Sequence, residues 1–231
     1  MKKSFFLACM LITLHTQAQQ SLDHKVTKPT ALSKITNRQD GLIISLTSDG
    51  WLELPAGIET HPFSSRGFSF YFMGEKMNSG GVIGLGYGIG MSSQNFSSNG
   101  YFDDISDPAK TRMHAINDSI DYSINKLSLN YLDLALEIRL RTHANENHKR
   151  FKLSLGAKAG WMFQDHEKYK DDHNKNKSYN LEHLNAFQYG LTGRIGYGKW
   201  ALNGYYALTG IFEKDKGPDL VPFSVGISFT P

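Results

Sequence analysis

Beyond its first twenty residues the chain has no cysteine; the single one, Cys9, lies in an N-terminal apolar segment. Disulfides and thiol chemistry are therefore outside the reach of the remaining chain. No apolar run of 18 residues follows that segment, so no transmembrane helix is available. A marked excess of charge of either sign is also missing. Lysine and arginine number 25 against 22 acids, and without Lys2 and Lys3 the count is 23 against 22. Such a balance gives no reason to expect a nucleic acid or an acidic partner.

What is present begins with a leader pattern. Lys2 and Lys3 supply a charged start, Phe5 and Leu14 bound an apolar middle, and Thr16-Gln17-Ala18 forms a small-residue cleavage site. Residues 1–18 are expected to be a Sec-type signal peptide. A lipoprotein leader built on Leu7-Ala8-Cys9 would have too short an apolar core. Residues 19–40 are polar, carry Lys25, Lys28, Lys34 and Arg38, and include Pro29. They are expected to form a flexible periplasmic lead-in, with a barrel domain over 41–231.

The barrel expectation starts from residues 131–141. Leu132, Leu134, Leu136, Ile138 and Leu140 take every second position, with Asp133, Ala135, Glu137, Arg139 and Arg141 between and beyond them. A helix would scatter these leucines round its axis, whereas a strand gives one aliphatic and one charged face. Leu, Ala, Glu and Arg favour helix by propensity, but the period is the stronger signal. Lipid accepts the leucines and a polar lumen accepts the charges.

Seven further segments alternate. Leu42, Ile44 and Leu46 oppose Ser45, Thr47 and Asp49, with a bulge expected near Gly50. Phe68, Phe70 and Phe72 share one face. Ile83, Leu85, Tyr87, Ile89 and Met91 alternate with Gly84, Gly86, Gly88 and Gly90. Those glycines are expected to make room for large side chains from opposite strands. They are not a dinucleotide loop, which needs a glycine turn followed by a helix. Phe151, Leu153, Leu155, Ala157, Ala159, Trp161 and Phe163 oppose Lys152, Ser154, Lys158 and Gln164. Phe187, Tyr189, Leu191, Ile195 and Tyr197 precede Gly198-Lys199, which fits a two-residue type II′ hairpin. That turn pairs Tyr197 with Trp200 and moves the outward set to even numbers: Trp200, Leu202, Tyr206, Leu208 and Phe212. Phe223, Val225, Ile227 and Phe229 close the series. The expected fold is all-β, an eight-stranded antiparallel up-and-down transmembrane β-barrel. Connections 75–81, 142–150 and 198–199 are short and expected to be periplasmic. Connections 55–66, 97–123, 165–183 and 213–219 are mostly longer and expected outside.

Residues 65–73, 82–91, 130–142, 153–162 and 221–229 resemble the small outer-membrane β-barrel domain family that includes the PorT-like proteins. The likeness lies in alternation and glycine, not in a catalytic string. It implies an outer-membrane address in a Gram-negative bacterium and, for some relatives, service in protein secretion. Barrels of this kind commonly finish on phenylalanine, whereas here Phe229 is followed by Thr230 and Pro231.

The expected lumen charges are Asp133, Glu137, Arg139, Lys152, Lys158 and Arg194, joined by Asp49 and Glu53. Near-balanced signs in a narrow barrel favour a paired, solid plug over a conduction path. Tyr87, Trp161, Tyr197 and Trp200 are expected at the membrane interfaces. Asp165, His166, Asp171, Asp172, His173 and His183 match no zinc spacing and are interleaved with lysines, which reads as a solvated loop. No nucleophile elbow supports a hydrolase. The expectation is a monomeric structural or interaction protein without catalytic, cofactor or metal residues. It contacts outer-membrane lipid, and a protein partner through 97–123, 165–183 or the lead-in. The alternatives are an accessory part of a secretion or envelope-assembly machine and a lipid-modifying enzyme at the rim.

Overall fold

The computed structural model describes residues 41–231 except 104, 118, 148 and 172–174. The expected signal peptide (1–18) and lead-in (19–40) lie outside the described residues. Among the described residues eleven strands follow one another: β1 (Leu42–Leu52), β2 (Arg66–Met77), β3 (Ile83–Ser97), β4 (Gly100–Asp103), β5 (Arg112–Ala115), β6 (Tyr122–Arg141), β7 (Phe151–Asp171), β8 (Lys175–Tyr179), β9 (Phe187–Tyr197), β10 (Trp200–Ala207) and β11 (Val221–Phe229).

Eight of them close a barrel in the order β1-β2-β3-β6-β7-β9-β10-β11, each antiparallel to its neighbours, with β11 paired back to β1. The expected architecture is therefore present. Pairing followed from Tyr197 through Trp200, Phe229, Ile44, Phe70, Met91, Leu132 and Trp161 returns to β9 at Phe187, ten residues from the start. At ordinary strand spacings that stagger tilts the strands by about 40°. Each residue then climbs about 2.5 Å and each step to the next strand about 3 Å.

Gly198 has a φ of 63° while Lys199 stays in the negative region, and Tyr197 pairs directly with Trp200. The type II′ turn and the switch of outward parity both follow. β1 carries no bulge, contrary to expectation: its register with β11 is unbroken from Ile44 to Leu52. Alternation only looked broken there because Trp51 faces inward, while Gly50 faces out beneath the Phe223 ring. A bulge does occur on β7, where Asn130 pairs with Gln164 and Tyr131 with Met162. It reverses the facing of every later residue on β7. Gln164, expected inside, is exposed and accepts a hydrogen bond from the Asn130 amide.

Two expected connections are shorter than drawn. β6 already starts at Tyr122 and β7 runs to Asp171, so their hairpin rises well above the lipid-facing belt and takes β8 on its edge. Connection 97–123 contains the β4–β5 hairpin. β2 likewise runs to Met77, which places Glu75 in a strand and not in a turn.

Candidate functional site

Alternation points one side chain in two at the lumen, and β6 delivers four ionic ones. Asp133, Glu137, Arg139 and Arg141 are all buried, Arg139 to 1% exposure. Burial at that level is tolerable only with partners. Arg139 Nε donates to Glu137 Oε2 at 3.1 Å and Nη1 to Glu75 Oε2 at 3.1 Å. Arg141 also holds Glu75, and Arg194 Nη2 donates to Glu137 Oε2 at 2.6 Å. A chain of alternating charge thus runs Arg141–Glu75–Arg139–Glu137–Arg194 across β6, β2 and β9. Glu75 and Arg141 were not among the expected lumen charges.

A second cluster lies further from the short turns. Asp133 Oδ2 accepts from Tyr71 at 2.5 Å and from Ser92 at 2.6 Å, and lies 3.4 Å from Lys158 Nζ. Lys158 also sits 4.1 Å from the Tyr205 ring centre, and Tyr205 donates to Gln188 Oε1 at 3.1 Å. Asp49 is buried, accepting from Thr47 Oγ1 and from the Asn95 amide. Lys152 is half-buried near the short turns and has an interaction partner. Glu53 is not a lumen residue: it follows the end of β1 with a φ of 59° and is exposed.

Glycine makes this packing possible. A β-carbon on Gly86 would lie 2.4 Å from Arg139 Nε, and one on Gly160 would lie 2.4 Å from Asp133 Oδ1. On Gly84, Gly88 and Gly90 it would meet Met77, Met73 and Tyr71. The occupants come from the adjacent strands β2 and β6, not from opposite ones as expected. Between the clusters lies a cavity of about 80 Å³ bordered by Ala135, Glu137, Lys158, Arg194 and Gln94.

The mouth on the long-connection side is closed differently, by an apolar layer. Trp51 stacks on Phe96 at 4.5 Å between ring centres and meets Phe102 of β4 edge-on at 6.2 Å. Leu127, Leu129, Tyr131, Ile211, Phe212 and Leu220 complete the buried cluster. Phe212 was expected on the outward face, but β10 ends at Ala207, and the chain beyond it turns this ring in over the mouth. It was not anticipated, yet a signal existed: on β6 the apolar set changes from even numbers (Leu132 onward) to odd ones (Leu127, Leu129, Tyr131). Below that change lipid lies outside; above it the sheet stands in water and its apolar face turns inward.

The four expected interface aromatics all point outward. By the climb per residue and per strand, Tyr197, Trp200 and Tyr87 lie within about 6 Å of one level near the short turns, with Trp161 about 20 Å above Tyr197. The histidine-rich segment proves not to be one loop. His166 lies in β7, and Asp165 accepts from the Leu181 amide. His183 Nδ1 is 3.3 Å from Thr111 Oγ1. That hydroxyl also donates to the Glu182 carbonyl, and Thr111 as a whole is buried. Asp172 and His173 lie outside the described residues. Among the described residues no three histidines, cysteines or acids converge as metal ligands.

No curated protein matches the chain. A solved structure described as "Asymmetric conductivity of engineered proteins" aligns over 82% of this chain and 98% of its own, at 7% identity and a TM-score of 0.20, a likeness too slight to show a shared fold. The family model described as "Outer membrane protein beta-barrel domain" matches residues 46–213. With that match over most of its length and a closed eight-stranded barrel, the chain belongs to the outer membrane protein β-barrel domain family.

Proposed function

We propose that the protein is a sealed outer-membrane barrel that works by contact, presenting its long connections outside the cell as a folded docking surface for a protein partner. The observation that carries this reading is the apolar layer over the mouth. It supports reading the connections as a built cap, not as the vestibule of a channel. Phe63 and Ile105 project from the long connections at 93% and 87% exposure, so each offers a position at which a contact can be probed. A role as an accessory of secretion or envelope assembly, in the manner of PorT-like proteins, rests on the likeness of the strand motifs. It names one kind of partner for the same surface. In the sealed-barrel reading the protein performs no chemistry.

The test is photo-crosslinking in living cells, with the photoreactive residue at Phe63, at Ile105 or, on the short-turn side, at Asn147. A discrete protein adduct at Phe63 or Ile105 and none at Asn147 is expected. An adduct confined to Asn147 would place the working surface at the other end and end this reading.

A further inference from the structure

The hairpin of β6 and β7, with β8 on its edge, carries an arrangement that neither the sealed lumen nor the cap uses. Lys126 pairs directly with Lys168, and Lys168 directly with Lys177. Direct cross-strand partners share a face, so three lysines stand in one row, with exposed Lys170 two positions further along β7. Like charges placed directly opposite one another oppose sheet formation. The next row on this face is Ser128, His166 and Tyr179. By parity no acid lies on this face between Ile124 and Asn130 of β6 or between Gln164 and Lys170 of β7. His166 responds to the same crowding: partial burial, then Lys177 and Lys126, hold its imidazole below the ordinary histidine range.

Lysine on an edge strand discourages sheets from adding to one another. That accounts for Lys177 on β8, but not for Lys168 and Lys126, which sit on inner strands of the same sheet. The facing decides what the row is for. Lys126 has the parity of Leu132, Leu134 and Leu136, so the row continues the outer wall of the barrel, not the cap. Lys126 lies about 15 Å up that wall from Leu132 and about 8 Å beyond the level at which Phe163 and Phe187 close the belt, with Lys168 and Lys177 about 3 and 6 Å higher. The lysine stems can lie back along the wall toward the lipid.

We propose that Lys126, Lys168 and Lys177, with Lys170, bind the phosphate groups of a phosphorylated glycolipid in the outer leaflet beside the barrel. The row is amine-rich and its own face carries no acid between those bounds, although Asp49 on the lumen side offsets part of the charge on Lys126. It spans three adjacent strands, about 10 Å between its ends. It thus offers several ammonium groups to a headgroup that bears more than one phosphate. The proposal rests on the outward placement of the long connections, and its test separates the two.

Full-length protein in detergent micelles is offered bis-phosphorylated lipid A, monophosphorylated lipid A or inorganic phosphate, and retained lipid is read by native mass spectrometry. The wild type should hold the bis-phosphorylated lipid best and should not release it to inorganic phosphate. Combining Lys126→Gln, Lys168→Gln and Lys177→Gln should weaken retention tenfold to roughly a hundredfold, as expected for three lysines near an anionic surface. Besides like charges, the substitutions remove the Lys177 ammonium from its place 4.7 Å from the Tyr179 ring centre, and unchanged heat-modifiable gel migration checks the fold. Lys199→Gln, at the short-turn end, should bind like the wild type. Equal retention by the triple variant, equal loss in Lys199→Gln, or displacement by inorganic phosphate would each overturn the site. Protease cutting at 142–150 in intact cells, with the long connections spared, would instead overturn the placement on which the lipid assignment rests.

Discussion

Glu137 offers the sharpest perturbation of the interior. Its Oε2 accepts from Arg139 Nε at 3.1 Å and from Arg194 Nη2 at 2.6 Å, in a part of the lumen where Glu137 is 7% exposed. Glu137→Leu adds apolar surface and little change in bulk, so a hydrophobic accounting alone would call it neutral. The electrostatic accounting does not. Arg139 keeps Glu75, but Arg194 loses the carboxylate it holds. Breaking a buried pair from one side costs about 3–5 kcal/mol. Glu137→Gln, which keeps an acceptor oxygen, should cost less than the leucine. Urea unfolding in lipid vesicles, followed by tryptophan fluorescence and gel migration, reads both. A Glu137→Leu barrel within about 1 kcal/mol of wild type would refute the paired lumen.

Other positions bear on the same account. Leu136→Arg places a cation on the lipid face near mid-strand and should cost roughly 2–4 kcal/mol in the same assay, while Ala135→Ser, one residue away and bordering the cavity, should be almost silent. Gly86→Leu should expel the Arg139 guanidinium and destabilise by about 3 kcal/mol, whereas Gly193→Ala, whose new methyl meets only Leu155 at 3.7 Å, should fold normally by gel migration. His166 should titrate below its ordinary value by NMR, and Lys126→Gln with Lys177→Gln should move it upward. Because the fold disfavours its protonated form, this histidine should subtract from stability as pH falls below about 6.5, and subtract less in the double variant.

Most of the wall could be read from the sequence because lipid imposes a strict rule on every second residue. Leu132, Leu134, Leu136, Ile138 and Leu140 obey it without exception, and Gly198 fixes how Tyr197 meets Trp200. The rule fails where the wall leaves the membrane. Leu127, Leu129 and Tyr131 have lumen parity yet are apolar, since above the belt the inside is a protein core. The extra residue on β7 is silent in the pattern, because Phe163 suits the outer face and Gln164 suits a polar lumen in a straight strand as well as the exposed position the bulge gives it. Glu75 was hidden by the turn residues that follow it, Asn78, Ser79, Gly80 and Gly81. Its role depends on Arg139 and Arg141 reaching across from β6, a tertiary fact with no local trace. The lysine row is of the same kind: Lys126, Lys168 and Lys177 become neighbours only through the register of three strands.

The sealed interior is the central claim, and conductance tests it most directly. The purified full-length protein is inserted into planar bilayers, and single-insertion current is recorded beside a variant combining Trp51→Ala and Phe96→Ala, which opens the apolar layer but leaves the ionic clusters intact. The wild type should show no steady conductance, and the variant should gain at most brief, small events, because the Glu75–Arg139–Glu137 chain still fills the lower lumen. Stable open channels of porin size in the wild-type protein would contradict the account.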